Sequence, residues 1–256
     1  MVQFQDVAEA YDHKYSEEGF KNNASYYRWA LDVLQPEPGT RLLDIACGLG
    51  DLLYYAGQRG LDPVGIDLSP VAAGNSHQRA PEAGVSVGNA QQLPFADESL
   101  DYITILGSLE HLLDPGEGLL EMRRVLKWGG KALIVVPNSY YLPDIVWQVW
   151  RSGYGPNHKQ VVERFAPAQE WRAFIESGGL KVAKMKKFNF QWPKDKGDWV
   201  WYKANRKRLL GLVAAPFIPF NLSHSFLYLC VKDAASQGQT YNPPDWPVPP
   251  RLEDLP

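Results

Sequence analysis

The stretch RLLDIACGLGDLLYYAGQRGLDPVGID, residues 41–67, decides the fold. Its first apolar run has the length of a strand and ends in Cys47-Gly48-Leu49-Gly50, where small residues let the backbone approach a ligand closely. Apolar residues at helical spacing follow, and residues 63–66 read as a second strand with Asp67 at its carboxyl end. The order strand, glycine turn, helix, strand and acid predicts one half of a nucleotide-binding α/β unit.

Three features of this stretch point to the kind of ligand. The turn lies at a helix N-terminus, so free backbone N–H groups are expected there, and Asp67 offers acceptors suited to ribose hydroxyls. The third glycine of the dinucleotide fingerprint is missing, because Leu53 stands in its place. Asp44 lies inside the first strand, where a hydrophobic residue is typical. These departures speak against a nicotinamide-dependent oxidoreductase.

The sequence DIACGLG followed by GIDLSP resembles the first two motifs of the class I S-adenosylmethionine-dependent methyltransferases. The resemblance is to their small-molecule branch, which includes quinone-biosynthesis enzymes. It implies a doubly wound, Rossmann-like α/β fold with a seven-stranded, mostly parallel sheet in the order 3-2-1-4-5-7-6, the last strand being antiparallel. It also implies methyl transfer from S-adenosylmethionine to a small acceptor, aromatic or lipophilic. The resemblance is good over residues 40–138 and thinner from there to Lys232.

The resemblance also implies where the cofactor binds. In related enzymes a stretch similar to AYDHKY, residues 10–15, folds over the cofactor, so residues 1–38 are expected to form a lid; a loose N-terminal helix is an equal alternative. Asn89 stands where the family usually has an acid at the adenine rim. The residues expected to bind the cofactor are Tyr11, Tyr15, Asp44, Ala46, Cys47, Gly48, Gly50, Asp67, Leu68, Asn89, Ala90, Leu106 and Gly107.

Candidate catalytic residues follow the predicted fourth strand, residues 100–106. Family members often carry a histidine or an acid after this strand, facing the transferred methyl group. A base is needed only if the acceptor must lose a proton. His111 is the first candidate, because its unperturbed pKa of about 6.5 suits that task; His158 is the second and Glu110 the third. For His111 a structural, hydrogen-bonded role is an equal alternative.

Helix signals and strand patterns divide the rest of the chain. Ser69-Pro70 predicts a helix to about Arg79, and Asp114-Pro115 with Glu117 predicts a capped helix that Gly129 closes. A further helix is expected after Pro167. The remaining strands are predicted at residues 85–87, 132–136, 180–190 with a bulge, and 225–231.

Two aromatic-rich segments interrupt this pattern. Residues 137–166 have little periodicity and are predicted to form a substrate-side insertion. Residues 192–222 are an insertion before the last strand, in which aromatic and basic residues precede the apolar run 209–220, too short to span a bilayer. One interpretation is that this run packs on the sheet as the last crossover connection. The other is that residues 199–220 contact a membrane peripherally, and that this segment receives a lipophilic acceptor there.

The length and composition are typical of one enzyme-sized domain, which is predicted to span residues 1–235. Residues 236–256 are rich in proline and are predicted to form a tail. The net charge of -3 gives no overall electrostatic attraction to nucleic acid. Two cysteines without metal-ligand spacing predict no metal site and fit a cytoplasmic protein, and residues 1–10 do not read as a signal peptide. Besides the oxidoreductase, a regulatory protein that binds the cofactor without catalysis stays open.

Overall fold

One seven-stranded sheet organises the chain, with the strands in the order β3-β2-β1-β4-β5-β7-β6. The computed structural model describes residues 3–17, 22–155, 161–190 and 192–234. Within them the strands are β1 Arg41–Ile45, β2 Asp62–Asp67, β3 Gly84–Val87, β4 Leu100–Leu106, β5 Leu126–Pro137, β6 Leu180–Phe188 and β7 Ser225–Lys232. The pairs between β3, β2, β1, β4 and β5 are parallel, whereas β7 is antiparallel to both β5 and β6. The predicted fold and strand order are confirmed.

Helices cover both faces of this sheet. They are α1 Phe4–Glu17, α2 Ala24–Leu34, α3 Asp51–Gly57, α4 Pro70–Arg79, α5 Pro115–Val125, α6 Trp147–Ser152, α7 Ala168–Ser177, α8 Lys196–Ala204 and α9 Arg206–Ala214. One apolar layer joins the sheet to α5 and α7 through Leu119, Met122 and Trp171. The other joins it to α2 and α3 through Leu31 and Leu52. Because the helices cover both faces of the sheet, the carboxyl edge of the parallel strands is the part that stays open to a ligand.

Capping explains several helix starts. The side chain of Ser69 accepts a hydrogen bond from the N–H of Ala72, with Pro70 as the first helical residue, and α4 ends at Arg79 as predicted. The carboxylate of Asp114 accepts from the N–H groups of Gly116 and Glu117 at the start of α5. These signals are local, which is why the sequence predicted them correctly.

Three predicted boundaries were wrong. Helix α5 ends at Val125 rather than at Gly129, and β5 begins at Leu126 rather than at residue 132, because Leu126 already pairs with Leu100 of β4. The bulge of β6 is confirmed, but the strand ends at Phe188 and not at residue 190, since Phe190 has a left-handed φ of 73°. Sheet pairing, which is a tertiary interaction, decides such ends.

The two insertions are more regular than the sequence indicated. Residues 137–166 contain a π-helical turn, Leu142–Val146, that continues into α6. Residues 192–222 contain α8 and α9, and α8 is held to α2 by the fully buried Asp198, which accepts from the N–H and the hydroxyl of Ser25. An ion pair of 2.7 Å between Arg28 and Asp195 adds to this attachment.

Among the described residues, no helix is both long and apolar enough to cross a bilayer. The proline-rich tail predicted at 236–256 lies outside the described residues.

Candidate active site

A cavity of about 550 Å³ opens at the carboxyl edge of the sheet. The ends of β1, β2, β4 and β5 form its floor, while α1 and the segments after β5 and β6 form its walls. Of the residues predicted to bind the cofactor, all except Gly50 line this cavity. Two of the three catalytic candidates, Glu110 and His111, line it as well. His158 lies outside the described residues.

The two glycines of the turn after β1 have different tasks. Both have left-handed φ angles, 53° for Gly48 and 76° for Gly50. A Cβ on Gly48 would stand 2.9 Å from the hydroxyl of Tyr15, so this glycine brings the backbone under α1. A Cβ on Gly50 would stand 2.5 Å from Oγ and 2.8 Å from Cα of Ser76. Gly50 therefore allows α3 to pack on α4 and faces away from the cavity, which the sequence did not reveal.

The expectation of free N–H groups in this turn is contradicted at three of its four residues, Cys47, Gly48 and Gly50. The N–H of Gly48 donates to Oδ2 of Asp67 across 2.9 Å. The N–H of Cys47 donates to the carbonyl of Ile66, and that of Gly50 to the carbonyl of Cys47. Parallel pairing of β1 and β2 brings the acid beside the turn, where it takes the donor that the sequence assigned to a ligand. Oδ1 of Asp67 accepts from the N–H of Ser69, and a carboxylate has about four acceptor positions, so the group can accept a further bond.

Two buried carboxyl groups dominate the electrostatics of the half of the cavity at the ends of β1 and β2, where the cofactor is predicted to bind and which we call the cofactor half. Burial raises the pKa of Asp44 to about 7, although the hydroxyl of Thr104 donates to Oδ1 across 2.7 Å. Burial also raises the pKa of Asp67, against the lowering effect of the N–H groups of Ser69 and Gly48. In the described part of the chain neither carboxylate is ion-paired with a lysine or an arginine. A positively charged ligand would supply the missing counter-charge.

Helix α1 lies over the cofactor half. Its Tyr11 and Tyr15 line the cavity, and burial raises the pKa of both phenols. Oδ1 of Asp12 accepts from the hydroxyl of Ser69 and, across 3.3 Å, from the N–H of Val71, at the start of α4. Asp12 was missed as a separate residue, although it stands inside the AYDHKY stretch that predicted the lid.

The end of β3 places Asn89 on the opposite rim. Oδ1 of Asn89 accepts from the N–H of Gln91 across 2.9 Å, so the oxygen predicted to face an adenine is already engaged once. A carbonyl oxygen has two lone pairs, so the position remains able to accept a second bond.

Glu110, which is buried, and His111, which is largely buried, lie side by side after β4. Oε1 of Glu110 lies 3.8 Å from Nε2 of His111, and Oε2 has no hydrogen-bond partner. Burial, with a contribution from Glu163, raises the pKa of Glu110 to about 8. Nδ1 of His111 lies 2.6 Å from the carbonyl of Val162, which can only accept, so Nδ1 carries the proton and Nε2 a lone pair. Burial lowers the pKa of His111. Near pH 7 Glu110 is therefore protonated and His111 neutral.

The loop that carries this pair is held by an arginine that sequence reasoning missed. Arg164 is buried and donates to the carbonyls of Glu110, Leu112 and Leu113 at 3.2, 2.6 and 3.0 Å. Its burial lowers the pKa of the guanidinium. No signal near residue 164 could have revealed this role, because the partners are about fifty positions away in the chain.

Aromatic side chains line the other half of the cavity. The ring centroid of His224 lies 4.9 Å from that of Tyr141 and 5.0 Å from that of Phe190, and Phe188 and Phe190 are 5.7 Å apart. They come from the ends of β5 and β6 and the start of β7, which the antiparallel pairing of β7 brings to one edge. The sequence indicated an aromatic-rich, substrate-side segment at residues 137–166, which includes Tyr141, but it did not indicate Phe188, Phe190 or His224. Arg208 of α9 also lines this half.

No group of three or more histidine, cysteine, aspartate or glutamate residues gathers for metal binding within the described ranges.

Sequence comparisons agree with this geometry. The profile of the family described as "Methyltransferase domain" matches residues 43–134. The demethylmenaquinone methyltransferase of Renibacterium salmoninarum is 35% identical over 131 residues, which are 51% of this chain and 55% of that enzyme. A demethylmenaquinone methyltransferase of Bacillus cereus is 30% identical over 212 residues, covering 73% of this chain and 89% of that enzyme. The chain thus spans little more than half of the Renibacterium enzyme but most of the Bacillus enzyme.

Solved structures share the fold. The geranyl diphosphate C-methyltransferase of Streptomyces coelicolor superposes with a TM-score of 0.64 at 14% identity, over 90% of this chain and 97% of that chain. The cyclase SpnF superposes with a TM-score of 0.63 at 16% identity, over 91% of this chain and 97% of that chain.

The sheet order, the glycine turn and the relative aligned over most of its length show that the chain belongs to the class I S-adenosylmethionine-dependent methyltransferases. Within that family it falls in the small-molecule branch that includes the quinone-biosynthesis enzymes. The cofactor of this family is S-adenosylmethionine, and the cavity fits it. Asp44 and Asp67 offer carboxylates for a ligand that carries positive charge and ribose hydroxyls, and Gly48 leaves room where a Cβ would not fit.

Proposed function

We propose that the protein transfers a methyl group from S-adenosylmethionine to a small, lipophilic acceptor with a flat ring. The observation that carries the proposal is one cavity that joins the carboxylates of the cofactor half to the aromatic wall, with Glu110 and His111 lining it as well. Relatives named demethylmenaquinone methyltransferase, and one from Geotalea daltonii named ubiquinone/menaquinone biosynthesis C-methyltransferase, support a ring-shaped acceptor. Flat rings pack well against aromatic side chains.

In this proposal the cofactor is held by residues at the strand ends. Asp67 accepts from the ribose hydroxyls, Asn89 and Ala90 form the adenine rim, and Asp44 provides negative charge near the turn. Tyr11 and Tyr15 of α1 close the site as a lid. When bound, S-adenosylmethionine supplies a methyl group already activated by its sulfonium charge.

The chain's own contribution is alignment, exclusion of water and control of a proton. Holding the acceptor in line with the methyl group can supply roughly 7–11 kcal/mol of barrier reduction. The closed α1 and the aromatic wall exclude water. If the acceptor must lose a proton, Nε2 of His111 takes it, because its lone pair is available at neutral pH. Glu110 becomes the alternative base only above pH 8, where it loses its own proton.

A peripheral membrane contact through residues 199–220 is part of the proposal, as is a cytoplasmic location. Trp199, Val213 and Phe217 are 45%, 67% and 83% exposed, and basic residues such as Arg206 are exposed beside them. Rings and cations of this kind suit the headgroup region of a membrane. Co-sedimentation with anionic vesicles should therefore be lost in a Val213→Ser/Phe217→Ser variant; a wild type that stays in the supernatant refutes the contact.

A non-catalytic protein that binds the cofactor is the second candidate function. A neighbour with a similar fold bears the name of a cyclase, so the fold alone does not decide whether a methyl group is transferred.

The test combines binding with product analysis. Calorimetry should give micromolar-range binding of S-adenosylmethionine and none of NAD, and Asp67→Ala should weaken it about 10- to 100-fold through loss of charge-assisted hydrogen bonds. Asp62→Ala, on the same strand but with a largely exposed side chain, is the matched control. Incubation of cell extracts with cofactor carrying a labelled methyl group should then yield a labelled small molecule. Binding without any labelled product would favour the non-catalytic function.

A further inference from the structure

The acceptor half of the cavity contains one cation whose charge nothing in the described structure neutralises. Among the described residues, Arg208 is the only lysine or arginine that lines the cavity. Other arginines of the protein are ion-paired, for example Arg79 with Asp51 at 2.9 Å and Arg124 with Glu121 at 2.6 Å. Arg208 has no such carboxylate within the described ranges.

Aromatic rings hold the guanidinium of Arg208 at the cavity. Its Cζ lies 5.5 Å from the ring centroid of Phe190 and 5.0 Å from that of Trp201. Cation–π contacts of this kind orient a guanidinium while leaving its in-plane N–H donors available for a further partner. Phe190 belongs to the aromatic wall with His224, so the cation and the ring-binding surface are continuous.

The distribution of charge along the cavity is uneven. The buried carboxyl groups Asp44, Asp67 and Glu110 lie at the ends of β1 and β2 and after β4, on the side of the cofactor. Arg208 lies on the side of the acceptor, and Asp144, an exposed residue that also lines the cavity, forms no ion pair with it in the described structure. A planar guanidinium is suited to bidentate binding of a carboxylate or a phosphate.

We propose that Arg208 binds a carboxylate or phosphate group of the methyl acceptor, whose flat apolar body lies against Tyr141, Phe188, Phe190 and His224. This inference rests on the proposed function, because it names the acceptor's chemical class at the same site. It narrows the chemical class of the acceptor from any lipophilic ring to an amphipathic ring compound. The anionic group of that compound would lie at the end nearest α9. A neutral quinone would leave the guanidinium without a partner.

Three naphthalene probes of one shape test the proposal. They are 2-naphthoate, 2-naphthyl phosphate and the neutral 2-naphthamide, and their dissociation constants are measured by calorimetry with the full chain, both with and without the demethylated cofactor. We expect one or both anions to bind about 10- to 100-fold more tightly than the amide, which is the range for charge-assisted hydrogen bonds. The carboxylate and phosphate arms show which anion the site prefers.

Substitutions test whether the preference for anionic probes depends on the side chain of Arg208. Arg208→Met should abolish the preference for anions while leaving binding of the amide unchanged, and Arg208→Lys should retain part of it. Arg206→Met is the matched control, since Arg206 is exposed, belongs to the same helix and does not line the cavity. Asp144→Asn tests the nearby carboxylate and should leave the preference in place or increase it. Circular dichroism of each variant verifies folding.

The proposal would be overturned by a wild type that binds all three probes equally, or by an anion preference that survives in Arg208→Met. Loss of the preference in Arg206→Met as well would also overturn it, because a general surface charge would then be responsible. Binding of the demethylated cofactor is measured separately in every protein. Its absence would refute the methyltransferase assignment, whereas the probe series without cofactor still decides the role of Arg208.

Discussion

The N–H of Gly48 donates to Oδ2 of Asp67 across 2.9 Å, so the turn after β1 and the acid after β2 form one hydrogen-bonded unit. The bond fixes the orientation of a carboxylate that burial would otherwise leave poorly solvated. A ligand that binds Asp67 therefore meets an acceptor already held in place, which lowers the entropy lost on binding.

Gly48→Ala should weaken cofactor binding and destabilise the protein. The new Cβ would stand 2.9 Å from the hydroxyl of Tyr15, and the φ of 53° strains any side chain. We expect a loss of about 1–2 kcal/mol in the free energy of unfolding from the backbone conformation alone. Adding Tyr15→Phe removes the hydroxyl that the new Cβ would meet. The double variant should therefore recover the stability lost to the clash, but not the stability lost to the strained backbone. Gly74→Ala on α4, where a Cβ meets open space, is the control and should be neutral or stabilising. Chemical denaturation and calorimetry measure both effects.

Asp12→Asn should loosen α1 from the rest of the site. The carboxylate of Asp12 accepts from the hydroxyl of Ser69 and the N–H of Val71, and the amide replaces one acceptor oxygen by a donor. We expect faster dissociation of the cofactor, by about 3- to 30-fold, and faster proteolysis within α1, with little change in global stability. Glu9→Gln, an exposed change on the same helix, is the control. Equal dissociation rates in stopped-flow measurements of wild type and Asp12→Asn would contradict a lid held by this residue.

Glu110→Gln should change how stability depends on pH. The pKa of Glu110 is raised from 4.5 to about 8 in the folded protein, so between these values the unfolded chain has released a proton that the folded chain retains. Stability of the wild type therefore falls as pH rises through this window and levels off above pH 8. The variant has no such proton, and its stability should exceed that of the wild type increasingly from pH 5 to 8.

The gain should reach a few kcal/mol, since a pKa difference of one is worth about 1.4 kcal/mol. Denaturation midpoints at pH 4, 6 and 8 measure the effect, and Glu117→Gln, an exposed residue of α5, is the control. A constant difference between Glu110→Gln and the wild type across this range would show that Glu110 is not held protonated.

His111→Ala should lower turnover more than it weakens cofactor binding. If the acceptor must lose a proton, loss of Nε2 should lower kcat on the order of 100-fold, with a change in cofactor affinity of less than about 3-fold. His77→Ala, on the exposed face of α4, is the control. A rate unchanged in His111→Ala but lost in Glu110→Gln would transfer the role of base to Glu110. The pH profile of kcat/KM would then rise only near pH 8.

Local signals explain why so much of the fold could be predicted. Helix α4 begins and ends as its cap and proline indicated, and β4 has the predicted bounds, because both depend on neighbours within a few residues. Helix α5 and β6 ended elsewhere because pairing with a distant strand, or a left-handed residue, decided their ends. The helices within the insertions were missed because their stability comes from contacts such as Ser25 with Asp198, 173 positions apart.

By itself the sequence determined the fold class, the strand order and the cofactor, because two short motifs, DIACGLG and GIDLSP, resemble those of a known family. Only the tertiary structure decided the rest of the site. It turned the N–H of Gly48 to Asp67, held the loop of Glu110 by Arg164, and brought Tyr141, Phe190, Arg208 and His224 to one wall. The physical reason is that these contacts join residues far apart in the chain, and a side chain's partner and protonation depend on what burial places beside it.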